Sequence, residues 1–450
     1  MRFSLRSSLS TLSVLATLSK QAKSSSCSYV DGNYYCDETS VVVYNNVGFS
    51  SSYNDVTAMD ESSCSCSTSS TSFSGTLSPF DEELSVHIRG PIQLKQFGVY
   101  YPSASTSYKK REVDEEEPCE ETITTRKHAH KRDVAVEYVE VTATVYVNAN
   151  GETITTSITP QTTTTAAGEQ NVASPVEHEA SAVSSSYTVV STVLSGTTTA
   201  GASSTSTTTS ATSTASTVAG AWERVAYYTP GSATNVTFMN HQGGSGSGVW
   251  STCFGNSLSY ASSDGKSCAS SSTVLDDVTL TSDYEVVMFS ADECSGQNGD
   301  CGYYREGIPA FHGFGGKYKI FVFEFLMPSD TDGSNSNQDM PAIWLLNAKI
   351  PRTEQYGSCS CWESGCGEMD LFEILSAGSN DLISHIHDGQ GSGSEDYFQR
   401  PTSSSMKAAV IFNGEDGSIH IVEVSDDFGS TLSEDTVNGW LEQTGSTVSL

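Results

Sequence analysis

The segment Glu368-Met369-Asp370-Leu371-Phe372-Glu373 places three carboxylates within six residues. A strand alternates its side chains between two faces, so Glu368 and Asp370 share one face while Met369 and Leu371 take the other. On a regular strand Glu373 would join Met369 on the apolar face. One extra residue accommodated as a β-bulge, near Leu371 or Phe372, returns Glu373 to the acidic face, and bulges favour active-site positions because they re-aim a side chain. Like charges this close raise the pKa of at least one of the group. Retaining glycoside hydrolysis needs such a set. One carboxylate attacks the anomeric carbon and another protonates the leaving oxygen, then activates water, the two lying roughly 5–5.5 Å apart. A third carboxylate on the same face can hydrogen-bond the nucleophile. The competing reading is an exposed acidic strand edge that blunts aggregation. The flanking Gly365-Cys366-Gly367 and the apolar Met369, Leu371, Phe372 and Ile374 argue for a packed strand instead.

The surrounding pattern predicts strands at Val274–Leu280, Tyr284–Phe289, Tyr318–Leu326, Ala342–Leu346, Met369–Leu375, Leu382–His387, Ala408–Phe412 and Ile419–Val424, with turn-forming residues between them. A short helix is expected near Val437–Leu441. Many short strands with turn signals make residues 221–450 an all-β sandwich. Either tryptophan could stack on a ring-shaped ligand, but Trp344, embedded in an apolar strand, also reads as core, and Trp362, in a cysteine-rich loop, is the better candidate. His387 ends a strand. Glu324 reads as a structural or peripheral carboxylate.

Residues 27–105 read as a separate small β-rich module. Leu84–Tyr101 alternates apolar and polar residues and is broken at Gly90-Pro91 into two short strands, with no catalytic constellation. Residues 106–220 read as a disordered linker, first charged, then rich in Ser and Thr. Lys109-Lys110-Arg111 and Lys131-Arg132 are dibasic, which suits either a processing protease or a solvated charge run, and His128 and His130 read as part of that patch. Between Ser195 and Thr217, 17 of 23 residues are Ser or Thr, a composition suited to an extended O-glycosylated stalk.

Lys and Arg number 22 against 54 Asp and Glu, a net charge of −32. A nucleic-acid binder needs a basic footprint, which is missing here, and an anionic membrane surface would repel the chain. The partner this favours is neutral, such as a polysaccharide. Arg2, Arg6, the modestly apolar Leu9–Leu18 and a possible cleavage residue at Ala22 read as a secretory signal over residues 1–22. Residues Leu9–Leu18 are too short to span a membrane. Twelve cysteines fit an oxidising compartment. Five precede the Ser/Thr tract and seven follow it, so either one thiol stays free on each side or a bridge crosses the tract. A zinc site is the competing use, but the paired Cys-x-x-Cys spacing is absent. The acceptor Asn235-Val-Thr237 is available for glycosylation.

The hexapeptide resembles the Glu-x-Asp-x-x-Glu signature of glycoside hydrolase family sixteen in its laminarinase-type, bulge-containing form. Gly315-Gly-Lys-Tyr318 and Met340-Pro-Ala-Ile-Trp-Leu-Leu346 resemble that family's order of strand, turn and Trp-bearing strand. More closely, Cys359-Ser-Cys-Trp-Glu-Ser-Gly-Cys-Gly-Glu-Met-Asp-Leu-Phe-Glu373 is similar to the fungal "target of SBF" cell-wall family, a group of glycosyl hydrolase-like proteins. The resemblance implies a jelly-roll sandwich, with Glu368 as nucleophile, Glu373 as acid/base and Asp370 as assisting carboxylate. It also implies that Trp362, Trp344 and His387 contact substrate. The substrate it implies is the β-glucan of the cell wall, met by a secreted, monomeric protein. No metal or cofactor is required. The Cys-Ser-Cys-Trp insert departs from ordinary laminarinases and could narrow the cleft.

Three functions are compatible with these residues. The first is an endo-β-1,3-glucanase, or a transglycosylase using the same covalent intermediate. The second is a glucan-binding or structural wall protein, and the third a stalk-like adhesin. The intact trio of carboxylates favours the first over the third.

Overall fold

The run Ile320-Phe-Val-Phe323 is apolar at every position, and the strand that holds it, Tyr318–Leu326, is covered on both sides. A strand buried on both faces reads as a continuous apolar run rather than an alternating one. This strand lies within a nine-stranded sheet, in the computed structural model, which describes residues 27–30, 32–103, 146–147, 153–154 and 220–450. The path of that sheet runs Ser232–Thr234, Trp222–Thr229, Gln93–Pro102, Tyr318–Leu326, Met406–Asn413, Ser418–Glu423, Val41–Asn45 and Ser446–Ser449. A ten-stranded sheet packs on it, with Thr237–Asn240, Glu285–Phe289, Leu84–Arg89, Ala342–Asn347, Glu368–Glu373 and Asp381–His387 adjacent in that order.

The core between the sheets takes alternate residues from each. Val86 and Ile88 meet Ile343, Leu345, Met369, Leu371 and Phe372 from one side, and Phe97, Val99, Phe321, Phe323, Val410 and Phe412 from the other. A second apolar layer, including Ile320, Val322, Ile411 and Val422, covers the far face of the nine-stranded sheet. The helix Glu434–Leu441 closes that layer with Val437, Trp440 and Leu441, and the Ser433 side chain caps its first turn through the Thr436 N–H. The outward face of the ten-stranded sheet is thereby the one left for function.

The expectation of an all-β sandwich holds, and the strand at Tyr318–Leu326 and the break at Gly90-Pro91 fall where the pattern placed them. Val274–Leu280 does not become a strand. Its Asp276-Asp277 pair interrupts the apolar run, and only an isolated bridge, Leu280 to Ile92, forms.

The larger correction concerns residues 27–105. Instead of standing apart, they supply strands inside both sheets. Leu84–Arg89 pairs with Glu285–Phe289 on one side and Ala342–Asn347 on the other. Gln93–Pro102 pairs with Trp222–Thr229 and Tyr318–Leu326. Lys319 is wholly buried, and its ammonium donates to the carbonyl oxygens of Phe80, Glu82 and Phe314, tying the 80–82 turn to the later half. The physical reason is burial: a stretch this short cannot enclose a core alone, and the apolar faces of its strands complete the sandwich.

The segment between the two halves begins and ends at neighbouring points. Pro102 opposes Trp222 in the sheet, and the Ser103 N–H donates to Ala221 O at 2.8 Å. The expected linker is therefore a long excursion from one antiparallel strand pair rather than a spacer between two domains. Its described residues pair as Tyr146–Val147 with Thr153–Ile154. The expected signal at 1–22, the dibasic sites, His128, His130 and most of the 106–220 segment lie outside the described residues.

Two bridges cross the excursion, which leaves both cysteine counts odd. Cys64 pairs with Cys253 and Cys66 with Cys359, while Cys27–Cys36, Cys294–Cys301 and Cys361–Cys366 close locally. Cys268 is unbridged among the described residues, and Cys119 lies outside them.

Candidate active site

The bulge required by the carboxylate spacing is present. Ile343 opposes Phe372 and Trp344 opposes Asp370, leaving Leu371 as the extra residue. The neighbouring strand shows the same shift, with His385 opposite Asp370 and Ile383 opposite Glu373. Leu371 and Phe372 both enter the core, and Glu373 returns to the side of Glu368 and Asp370. At the bulge the Ser384 hydroxyl donates to Asp370 O at 2.6 Å, and the Tyr44 hydroxyl donates to Ser384 Oγ at 2.9 Å from the opposite sheet. These bonds satisfy backbone and side-chain groups that the irregular ladder would leave buried and unpaired.

All three carboxylates line one cleft of about 520 Å³ with Arg89, Trp344, Tyr356 and Trp362. Trp344 is 5% exposed and forms its floor, with its ring 5.1 Å from the His87 ring and the Arg89 guanidinium 5.6 Å away on the ring face. Trp362 is 44% exposed, and its indole N–H donates to Glu368 Oε2. Trp362 also borders a second groove of about 260 Å³, lined by His387, Gly389, Gln390 and Gly391. His387 Nε2 lies 3.2 Å from Asp370 Oδ2. The six residues singled out by sequence thus converge, whereas Glu324 lies on the nine-stranded sheet, where it accepts a hydrogen bond from Ser405.

Burial pushes the Glu368 carboxyl up to about 7, helped by the charge of Asp370 and opposed by the Trp362 N–H. Burial and the charge of Glu373 push Asp370 up to about 6, against the His387 hydrogen bond. Burial raises Glu373 too, with Arg89 opposing. The hydrogen bond to Asp370 raises His387. Three carboxyls crowd together against the Arg89 guanidinium and the His387 ring, which favours holding a proton within the cluster. An acid and an ionised carboxylate can thereby coexist in one cleft.

Two residues were not anticipated as parts of the site. Arg89 donates from its Nη2 to Glu373 Oε1 at 3.2 Å and from Nε to Met340 O at 2.9 Å. The alternation Val86-His-Ile-Arg89 placed His87 and Arg89 on one face, but nothing local indicated which strand would lie alongside. Tyr356, 72% exposed, donates its hydroxyl to Glu285, and Gln355 Nε2 donates to the other oxygen of Glu285 at 2.9 Å. These bonds fix one end of the 354–367 loop over the cleft. The Cys66–Cys359 and Cys361–Cys366 bridges fix its other end. The hairpin Ser51–Asp60/Ser65–Phe73 supports that loop by packing Tyr53 and Phe73 in a cluster with Trp344, Cys361 and Cys366.

Asp370, Glu373 and His385 also bring one ligand atom each within 4.8 Å of one another, a spacing that could hold a cation. The two other such groups among the described residues rest on cysteines already joined in disulfides.

Residues 220–440 match the family described as "Cell wall protein YJL171C/Tos1, C-terminal", and residues 40–102 match its N-terminal counterpart. The chain belongs to the Tos1 family of cell wall proteins. The two matched intervals are the two halves of the sandwich and leave the excursion outside. A Saccharomyces cerevisiae relative named "Probable circularly permuted 1,3-beta-glucanase TOS1" is 59% identical over 94% of each chain. A Candida albicans relative of the same name is 50% identical over the full length of both. One from Schizosaccharomyces pombe, with a name of the same type, is 44% identical over 95% of each. No solved structure matches. The family membership agrees with the resemblance carried by Cys359–Glu373, and the relatives bear names of glucan-acting hydrolases.

Proposed function

We propose that this chain is a secreted cell-wall glycoside hydrolase that cleaves β-1,3-glucan internally with retention of configuration. The observation that carries this reading is the bulge at Leu371, which puts Glu368, Asp370 and Glu373 on one cleft. The names of the relatives point to 1,3-β-glucan, and a family of cell wall proteins meets that polymer. "Circularly permuted" in those names fits a sandwich in which strands from before the excursion lie between strands from after it.

In the first step Glu373 donates its proton to the glycosidic oxygen as the bond to the anomeric carbon breaks. Glu368 attacks that carbon from the opposite face and forms a glycosyl ester. The Trp362 N–H keeps one Glu368 oxygen hydrogen-bonded and so favours the ionised form. Glu373, now ionised, takes a proton from water, which attacks the anomeric carbon and releases Glu368. Asp370, held by His387, sits between the two and keeps the shared proton within the cluster. Trp362 offers a flat face to the sugar rings, and Trp344 lies beneath as the floor of the cleft.

The deciding experiment gives the full chain and its Glu368→Gln and Glu373→Gln forms laminarin and a longer β-1,3-glucan. The expected result is release of shorter oligosaccharides by wild type alone, with products longer than the substrate marking transfer. Absence of both release and rearrangement in wild type defeats the proposal.

A further inference from the structure

Few large apolar side chains are exposed among the described residues, and Tyr29, Val30 and Tyr34 are three of seven such positions. All three belong to the loop closed by Cys27–Cys36. Within it Ser28–Val30 pairs with Asn33–Tyr35, and Tyr29 lies directly opposite Tyr34. Cross-strand partners share a face. The two rings therefore stand together on one side, 4.9 Å apart and 64% and 52% exposed, while Tyr35 on the other face is 5% exposed. A hairpin this small has no core of its own. Its disulfide supplies the closure, so packing does not explain the outward pair.

The hairpin is fixed to the chain segment that follows the second groove. The Cys36 N–H donates to Glu395 O and the Thr39 N–H to Tyr397 O, both at 2.8 Å, and the Asp37 N–H donates to the Asp396 carboxylate at 3.1 Å. The segment it grips follows the Gly389–Gly391 wall of the second groove, which Trp362 and His387 also line. Glu395 follows Gly391 by four positions, a reach of at most about 14 Å. The segment that holds the hairpin therefore follows the groove wall directly along the chain. Asp37, Glu38, Glu395 and Asp396 surround the attachment, which disfavours an anionic occupant, whereas their oxygens can accept hydrogen bonds from hydroxyls.

We infer that Tyr29 and Tyr34 form an accessory binding platform for a neutral β-linked glucan chain, receiving the part of the polymer that leaves the catalytic cleft along the His387 groove. The inference rests on the glucanase reading. Aromatic rings with a polar tip suit a pyranose, which offers an apolar C–H face and a hydroxyl rim.

The test uses the full chain. In the Glu368→Gln background, retention on insoluble linear β-1,3-glucan is measured for the parent, for Tyr29→Ala/Tyr34→Ala and for Tyr29→Trp/Tyr34→Trp. At least a fivefold loss of affinity is expected with alanine and parental affinity with tryptophan. In the active background, the alanine pair is expected to raise KM on the polymer and leave cleavage of a β-1,3-linked trisaccharide unchanged. Equal retention of parent and alanine forms overturns the platform, as does equal loss on trisaccharide and polymer. If the parent cleaves glucan but the alanine pair still binds as well, the platform alone falls. If the parent neither binds nor cleaves β-1,3-glucan, both readings fall.

Discussion

Arg89 and Glu373 form an ion pair at 3.2 Å although 284 residues separate them in the chain. The first half of the sandwich thus contributes the one cation that, among the described residues, pairs with the proposed acid/base. Arg89 is held by Met340 O and by the face of Trp344, so its charge is fixed in place.

Removing that charge should alter the pH profile in a defined direction. Arg89 opposes the upward push of burial on Glu373. In Arg89→Met the acid should therefore stay protonated to higher pH, moving the basic limb of kcat/KM upward. Loss of orientation should cost about tenfold in kcat near neutrality. Arg89→Lys should restore the position of the limb more than the rate. A profile of kcat/KM against pH checks this, and an unmoved basic limb would show that Arg89 does not act through Glu373.

Glu368 should reduce stability at neutral pH. Its folded-state pKa, about 7, lies above the unfolded value of about 4.3. The folded protein then holds more protons than the unfolded one between those values, so this group's contribution to stability falls as pH rises through that window. Glu368→Gln removes the ionisation. It should raise stability by on the order of 2 kcal/mol at pH 7.5, and the gain should vanish near pH 4.5. Thermal melts at the two pH values read the difference, and a gain independent of pH contradicts the assignment.

The hexapeptide was legible because a strand has period two, and that period makes the bulge a requirement rather than an option. The all-β architecture was legible for the same reason, from runs such as Tyr318–Leu326. Which strands would be neighbours was not. Leu84–Arg89 and Gln93–Pro102 look alike as members of a small module or of a large sheet, since alternation records a buried face and not its partner. The charged and Ser/Thr-rich excursion suggested a domain boundary, yet the Ser103–Ala221 hydrogen bond shows the chain returning to the strand pair that it left. Arg89 and Tyr356 were missed because they reach the cleft through those pairings.

The integrated sheets predict that residues 221–450 do not fold alone. Without Leu84–Arg89, the strands Glu285–Phe289 and Ala342–Asn347 lose the partner between them. Without Gln93–Pro102, Tyr318–Leu326 loses one neighbour. The isolated fragment should be aggregated or lack a cooperative melt. Co-expression with residues 27–103 should restore solubility together with the Cys64–Cys253 and Cys66–Cys359 bridges. A cooperatively folding 221–450 would refute the single-sandwich description.

Trp362 is assigned both a stacking face and a hydrogen bond to Glu368. Phenylalanine retains the face and loses the N–H. Trp362→Phe should move the acidic limb of the pH–rate profile upward, because the ionised Glu368 loses a donor, and change KM on glucan by less than about threefold. Trp362→Ala should shift the same limb and also raise KM about tenfold. Identical behaviour of the two variants would argue against the split of roles.

The central claim is that Glu368 attacks the anomeric carbon. The most direct measurement incubates the full chain with a β-1,3-linked 2-deoxy-2-fluoro-glucoside bearing a good leaving group, then maps the adduct by peptide mass spectrometry. The fluorine slows both steps and lets the glycosyl ester accumulate. The predicted result is one glycosyl unit on the peptide containing Glu368, absent in Glu368→Gln. A protein that cleaves laminarin while carrying the adduct elsewhere, or while forming none and releasing the inverted anomer, would contradict the account.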